Sequence, residues 1–297
     1  EDRLAKTGSA FGSTRRGIAY AYSDKYKKKT LRLGDLLHLD KPHIQSRLKT
    51  MLEYKNLELG GCYHQAPMSY PALLSWCEKK AEQFAPYITD TGNYIAAALS
   101  NHQKVVLEAQ LGAMRDIDYG IFPYTSSSST ISAYGPIGAG IPGTLPDHIV
   151  GVLKAYSTCV GAGPFTAEKA MPEKWMESLR KSGGEYGAAT GRPRRVGPFD
   201  AVASAYGLKC QNADKIALTK LDVLSHMDEI PVITSYKLND EIITEFDPLD
   251  DLDSMTPVTQ MLPGWNTDIS KCRKYEELPE NARKYIETLE HLLNHEI

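Results

Sequence analysis

The sequence predicts an α/β protein, because helical and strand patterns alternate along its 297 residues. Apolar side chains recur at helical spacing through residues 42–100 and again after Pro279. Residues 105–108 and 216–224 are short apolar runs, which is the pattern of buried strands. We therefore expect a predominantly parallel or mixed central sheet with surrounding helices. Ligands of such proteins collect where strands lead into glycine-containing turns.

The composition is that of a soluble globular protein, with 42% hydrophobic and 24% charged residues. No apolar run approaches the roughly 20 residues that span a bilayer, and the opening Glu-Asp-Arg-Leu-Ala-Lys lacks a secretory pattern. A net charge of -3 argues against the strongly basic surface of a nucleic-acid binder. The five cysteines have no C-x-x-C spacing, so we expect free thiols. These features predict a cytoplasmic protein without membrane or nucleic-acid partners.

The first candidate site is a hydroxyl- and glycine-rich loop that leads into a basic segment, within residues 9–36. Ser13 and Thr14 offer hydroxyl donors, and the flanking glycines expose backbone N–H groups. The arginines and lysines that follow add positive charge, so phosphate is the natural partner. The solvated face of a lysine-rich helix explains residues 27–29 equally well.

The next segments predict packing and a turn. The clearest helical stripe contains Leu73, Leu74, Cys77, Ala81 and Phe84. Residues 105–108 predict a buried strand that ends in Ala-Gln-Leu-Gly, and glycines and prolines at 135–143 predict a turn before a helix at 148–155. Between them, residues 122–130 form a hydroxyl-rich loop that could bind phosphate oxygens. Taken alone, this loop is better explained as a flexible serine linker.

The most informative segment is the glycine-punctuated loop at residues 184–200, which carries three arginines in four positions. Gly187 and Gly191 allow a tight turn, and Pro193 separates Arg192 from Arg194. The planar fork of arginine meets a carboxylate or phosphate with two parallel hydrogen bonds. The loop therefore predicts an anion-binding site. A solvated basic turn on the surface is the alternative, and most such arginine clusters are of that kind.

The strand predicted at 216–224 ends in Lys220-x-Asp222. A carboxylate there could accept from N1–H and the 2-amino group of guanine while the lysine stem lies along the base, although chance surface pairs of this kind are common. Asn239-Asp240 predicts a hairpin. A final amphipathic helix presents one apolar face, formed by Ala282, Tyr285, Ile286, Leu289, Leu292 and Leu293.

Several of these segments resemble adenylosuccinate synthetases, the GTP-dependent ligases that join aspartate to IMP in AMP synthesis. The matching runs are Gly-Ala-Ala-Thr-Gly-Arg-Pro-Arg-Arg-Val-Gly-Pro-Phe-Asp, Tyr-Ser-Thr-Cys-Val-Gly-Ala-Gly-Pro-Phe and Thr-Lys-Leu-Asp-Val-Leu. The resemblance covers residues 1–297 as one partial domain. It implies a purine-biosynthetic ligase with a fold like that of P-loop nucleotide hydrolases, Mg²⁺ with GTP as co-substrate, and a homodimer.

The resemblance also implies a role for each matched residue. The residues expected to bind IMP are Thr14, Lys28, Gln110, Ser126, Val160 and Arg192. Those expected to bind aspartate are Ala189, Thr190, Gly191, Arg192 and Arg194. Those expected to bind GTP are Arg194, Lys220, Leu221 and Asp222. The candidate catalytic residues within this chain are Lys25 and Gln110, and no metal ligand is expected in it.

The chain departs from the family pattern in several places. Lys28 replaces an arginine, Cys159 replaces another, and Leu111 stands where a nucleotide-contacting glutamine belongs, with Gln110 one place early. The sequence contains no Gly-Asp-Glu-Gly-Lys-Gly-Lys phosphate loop, no Ala-Gly-His-Thr segment and no Gly-Pro-Asp-Arg guanine-pocket turn. We therefore expect a fragment that lacks the N-terminal phosphate loop and is incomplete alone. The alternative is a non-catalytic or degenerate purine-nucleotide-binding homologue.

Overall fold

The structure is a computed structural model that describes residues 15–187 and 191–297. The α-helices of this part of the chain are α1 (Ile18–Lys27), α2 (Pro42–Tyr63), α3 (Tyr70–Phe84), α4 (Thr91–Ser100), α5 (Tyr134–Ala139), α6 (Glu173–Gly183), α7 (Ala201–Gln211) and α8 (Glu280–Leu293). The strands are β1 (Val150–Lys154), β2 (Ser157–Cys159), β3 (Arg195–Gly197), β4 (Phe199–Asp200), β5 (Lys215–Thr219), β6 (Glu229–Leu238), β7 (Glu241–Ile243) and β8 (Thr256–Pro263).

Two compact units make up the chain. The first contains the residues up to Val106 together with Ile137–Pro142, and the second contains Leu107–Pro136 and Gly143–Ile297. Among the described residues, no helix has both the length and the apolarity needed to cross a membrane.

The first unit contains α1 to α4, and the helical pattern of residues 42–100 predicts the last three of these helices. Helix α2 buries Ile44, Leu48 and Leu52, which recur at intervals of four and form one face. Helix α3 begins at Ser69, whose side chain accepts a hydrogen bond from Ala72 N. The predicted stripe of α3 is the packed side of that helix, although Phe84 at its end is exposed.

The second unit contains all the described strands, which form three sheets. Strands β1 and β5 pair in parallel, β2 and β3 pair antiparallel, and β6 joins β4 in parallel and both β7 and β8 antiparallel. The predicted α/β class and mixed strand directions are therefore confirmed. The predicted hairpin is also present, since Asn239 and Asp240 adopt positive φ angles of 49° and 69° between β6 and β7.

The core of the second unit is built on the predicted apolar face of α8. Tyr285 and Leu289 are fully buried there, together with Leu179 of α6 and Leu208 of α7. The Tyr285 hydroxyl donates to the Ala155 carbonyl at 2.7 Å, which fixes α8 to the end of β1. This packing holds the carboxyl ends of β1 and β5 in place beneath the candidate site.

Three local predictions were wrong. Residues 148–155 do not form a helix but contain β1, because the parallel pairing of β1 with β5 satisfies a Val-Gly-Val-Leu segment that is a poor helix former. Residues 105–108 form no strand, and Val106 is 89% exposed, because an apolar run becomes a strand only where a neighbour pairs with it. The strand expected at 216–224 ends at Thr219, and Leu221–Leu224 forms a 3-10 turn.

Candidate functional site

Polar and charged residues gather at the carboxyl ends of the parallel strands β1 and β5. Lys154 is the last residue of β1 and pairs in register with Thr219, the last residue of β5. Lys220 and Asp222 follow directly and are exposed, so they belong to the loop after the strand and not to the strand itself. The Lys220 Nζ donates to the Gly183 carbonyl at 3.1 Å. This edge is where α/β proteins bind ligands.

Glu185 is the buried centre of this edge, with only 1% of its surface exposed. Its Oε1 accepts from Lys154 Nζ and from the Tyr156 hydroxyl, each at 2.7 Å, and its Oε2 accepts from Arg194 Nη1 at 2.8 Å. Burial acts to raise the pKa of Glu185, but the three hydrogen bonds outweigh it and lower that pKa. Burial and the Glu185 carboxylate raise the pKa of Tyr156, so its phenol stays protonated and donates.

The arginine loop is tied to Glu185 through its backbone as well. Arg194 N donates to the Glu185 carbonyl at 2.9 Å, and Gly187 N donates to the Arg192 carbonyl at 2.8 Å. Gly191 has a φ of 64°, a left-handed conformation that glycine adopts without steric cost. Arg192 is exposed, whereas the Arg194 side chain is 34% exposed. The loop thus holds Arg194 against a buried carboxylate and presents Arg192 to solvent. Ala189 and Thr190 lie outside the described residues.

Arg195 has a different environment from its two neighbours. Its Nε donates to Glu168 Oε2 at 2.7 Å, its Nη2 pairs with Glu168 Oε1, and its Nη1 donates to the Gly163 carbonyl at 2.7 Å. The three arginines of the loop therefore divide into an exposed one, one paired with Glu185 and one committed to a bidentate pair.

The segment Asp116-Ile117-Asp118 fixes the position of the hydroxyl-rich loop at residues 122–130. Asp116 is fully buried and accepts from the backbone N of Asp118 at 2.9 Å and of Thr130 at 2.6 Å. Ser126 is half-buried, with its N donating to the Arg115 carbonyl at 2.8 Å. These contacts fix the loop against its neighbours, which argues against the flexible-linker interpretation.

Gln110 and Val160, predicted to bind IMP, are exposed, whereas Leu221, predicted to bind GTP, is half-buried against the core. Gln110 and Leu111 lie in an irregular segment before the turn at Ala113–Arg115, and Leu111 has a φ of 72°. Val160 is 67% exposed although it is apolar.

In the first unit, Lys25 and Lys28 are both exposed, and Thr14 lies outside the described residues. Lys28 follows α1 in a left-handed conformation with φ 59°, and its N–H donates to the Lys25 carbonyl at 3.1 Å, while the N–H of Lys29 donates to the Asp24 carbonyl at 2.9 Å. The Lys25 Nζ lies 6.0 Å from the centre of the Tyr22 ring. Both lysines therefore sit at the end of α1, as the solvated-face interpretation also predicts.

Comparison with known proteins identifies the family. The model of the adenylosuccinate synthetase family matches residues 1–297. The chain belongs to the adenylosuccinate synthetase family. It is 40% identical over 288 residues to the adenylosuccinate synthetase of Carboxydothermus hydrogenoformans, covering 97% of this chain and 66% of that relative. It is 38% identical over 289 residues to the enzyme of Halothermothrix orenii, covering 97% and 67%.

A solved structure agrees with this family assignment. The fully ligated adenylosuccinate synthetase from Plasmodium falciparum superposes with a TM-score of 0.88 at 33% identity, covering 100% of this chain and 69% of that one. The likeness confirms the predicted fold class. The chain spans about two thirds of the length of the relatives it matches.

The sequence predicts ligand-binding residues but not the side chains that hydrogen-bond to them and fix their positions. Glu185, Lys154, Tyr156 and Glu168 were not predicted, although Glu185 is part of the Gly-Glu-Tyr-Gly run that opens the arginine loop. The available signal was a glutamate seven residues before the first arginine of the cluster and nine before Arg194. Its burial could not be inferred, because Lys154 and Tyr156 reach it from β1 and the residues beyond.

Proposed function

We propose that the chain is the substrate-binding part of an enzyme that joins IMP and L-aspartate to form adenylosuccinate at the expense of GTP. The observation that carries this proposal is the position of Arg194, which pairs with Glu185, the same buried carboxylate that accepts from Lys154 at the carboxyl end of β1. In two steps, GTP phosphorylates the 6-oxygen of IMP, and the aspartate amine then displaces that phosphate. This reaction is the first committed step in the conversion of IMP to AMP.

Arg192 and Arg194 are proposed to hold the aspartate carboxylates, with Ala189, Thr190 and Gly191 supplying the backbone of the loop. A guanidinium has five N–H donors, so the pair between Arg194 Nη1 and Glu185 leaves donors for a ligand. The buried Glu185 carboxylate fixes Arg194, whose side chain remains 34% exposed and thus accessible to a ligand. This is the arrangement that bidentate recognition of a carboxylate requires.

Lys220, Leu221 and Asp222 are proposed to bind the guanine of GTP, with Arg194 close to the nucleotide. The 3-10 turn at Leu221–Leu224 keeps Asp222 exposed at the strand end. Its carboxylate can accept from both N1–H and the 2-amino group of guanine, which adenine does not offer in that pattern. The site therefore favours GTP over ATP.

For IMP, we propose that Thr14, Lys28 and Ser126 contact the phosphate, Val160 contacts the base, and Arg192 and Gln110 complete the site. Lys28 is proposed to reach the phosphate of a second copy of the chain, so the enzyme would be a homodimer. Lys25 is proposed as a catalytic residue of the same segment. These residues lie at or next to the positions of the family pattern, with Lys28 in place of its arginine and Gln110 one place before its glutamine.

Magnesium belongs to the proposal as the partner of GTP. The residues that the structure describes contain no group of three or more His, Cys, Asp or Glu side chains arranged to hold a metal ion. No step is therefore assigned to a metal held by these residues. We also propose that residues 1–297 act as one partial domain of a cytoplasmic protein.

The test is turnover by the complete gene product given IMP, GTP, aspartate and magnesium, with adenylosuccinate measured by absorbance and mass. The proposal predicts product that depends on each of the three substrates. A second candidate, a non-catalytic purine-nucleotide binder, is favoured by Leu111, which stands at the family's glutamine position. If IMP binds by calorimetry but no adenylosuccinate forms, the binding function stands and the ligase proposal fails.

A further inference from the structure

We propose that Arg115 is a positioning residue that fixes the base loop, defined as residues 160–163, relative to the phosphate-contacting Ser126. The proposal rests on the proposed function in one respect, namely that Val160 and Ser126 contact the two ends of IMP. Arg115 ends the short turn Ala113–Arg115, and its side chain reaches across to a segment about 45 residues further along the chain.

The guanidinium of Arg115 bonds to several carbonyls of two loops. Its Nη2 donates to the Val160 carbonyl at 2.9 Å, and its Nη1 donates to the Ala162 carbonyl at 3.3 Å and to the Tyr124 carbonyl. The same Nη2 lies 2.8 Å from Cys159 Sγ. A planar guanidinium suits this task because its donors point in several fixed directions at once.

A second guanidinium holds the base loop from its other end. Arg195 Nη1 donates to the Gly163 carbonyl at 2.7 Å, and Glu168 orients Arg195. Gly163 has a φ of 104°, and a Cβ at this position would lie 2.5 Å from the Tyr124 ring. The carbonyls of the base loop are therefore directed to the two arginines, which leaves the Val160 side chain exposed for a ligand.

The backbone of Arg115 also bonds to Ser126, the residue proposed to contact the IMP phosphate. Its carbonyl accepts from Ser126 N at 2.8 Å, while its side chain holds the carbonyl of Val160. One residue thus holds the backbone of both Ser126 and Val160, the proposed phosphate and base contacts of IMP. Cys159 stands where the family pattern has an arginine, and a thiol cannot supply several directed donors. Arg115 supplies them here.

The experiment compares Arg115→Leu, Arg115→Lys, Cys159→Arg and the double variant Arg115→Leu/Cys159→Arg in the complete gene product. Arg115→Leu should raise the IMP KM by roughly 10- to 100-fold, the range for losing hydrogen bonds from a charged donor. The aspartate KM and kcat should change far less, because the arginine loop keeps its contact with Glu185. Arg115→Lys should resemble Arg115→Leu, and the double variant should recover most of the loss. Arg283→Leu, on α8, is the matched control.

Hydrogen exchange of residues 160–163 provides a measurement that does not depend on the assigned substrates. The proposal predicts faster exchange of residues 160–163 in both Arg115 variants than in the Arg283→Leu control, and faster alkylation of Cys159. Unchanged exchange in Arg115→Leu and Arg115→Lys would overturn the positioning role, whatever the kinetics show. Faster exchange with an unchanged IMP KM would support the positioning role and contradict the assignment of Val160 to the base.

Discussion

Replacing Glu185 with glutamine should disable the arginine loop without changing its shape. Glutamine has the same size, and its oxygen can still accept from Lys154 and Tyr156, but the amide opposite Arg194 donates where the carboxylate accepted. Each hydrogen bond from a charged donor contributes about 1.5–3 kcal/mol. Because Arg194 is 34% exposed and can regain water, we take the lower part of this range, about 2 kcal/mol.

The kinetic and thermodynamic consequences differ for Glu185→Gln. The aspartate kcat/KM should fall about 10- to 50-fold because Arg194 loses its orientation, while the IMP KM changes little. The free energy of unfolding should fall by about 2 kcal/mol at neutral pH. The folded-state pKa of Glu185 is lowered, so its stabilisation is present above the unfolded pKa of about 4.3 and is lost as the pH falls through the folded-state pKa. The variant and the wild type should therefore converge in acid.

Urea unfolding between pH 3 and 8 and aspartate kinetics measure these effects. Glu177→Gln is the matched control, because Glu177 lies exposed on α6 and pairs with Lys181 one turn away. That control should change neither stability nor kinetics measurably. If Glu185→Gln retains wild-type aspartate kinetics, Glu185 does not position Arg194, and the reasoning from its burial is refuted.

Three further predictions concern stability and nucleotide choice. Burial raises the pKa of Asp200 to about 6, so the stabilisation from its proton is present at low pH and lost as the pH rises through about 6. Asp200→Asn should therefore remove that pH dependence in urea titrations, because the amide that then faces the Tyr236 hydroxyl does not titrate in this range. Leu289→Ala should cost about 2–5 kcal/mol by calorimetry, against almost nothing for the exposed Leu249→Ala. Asp222→Asn should raise the GTP KM about 10-fold while the IMP KM stays constant, since one guanine acceptor is lost.

The features that could be predicted from sequence are those set by local periodicity or local backbone chemistry. The face of α8 follows from spacing, since Tyr285 and Leu289 recur one turn apart and only one side of the helix can be buried. The turn at Asn239-Asp240 follows from residues that tolerate positive φ. The arginine loop was recognisable for the same reason, because Gly191 marks a left-handed turn.

The features that sequence did not predict depend on partners far along the chain. Strand β1 was mistaken for a helix because a short apolar run becomes a strand only through pairing with β5, about 65 residues away. Glu185 carries no local sign of burial, since its partner Lys154 comes from another element. The same holds for Arg115, whose donors reach carbonyls of the base loop.

The most direct test of the central claim, that the arginine loop binds aspartate, is the aspartate KM of Arg192→Lys in the complete gene product. Arg192 is exposed on the loop, and a lone ammonium cannot make two parallel bonds to one carboxylate. We predict a loss on the order of 1.5–3 kcal/mol, roughly 10- to 150-fold in kcat/KM for aspartate. Arg192→Ala should be similar, Arg283→Lys on α8 should match wild type, and the IMP KM should change far less. An unchanged aspartate KM in Arg192→Lys would contradict the account.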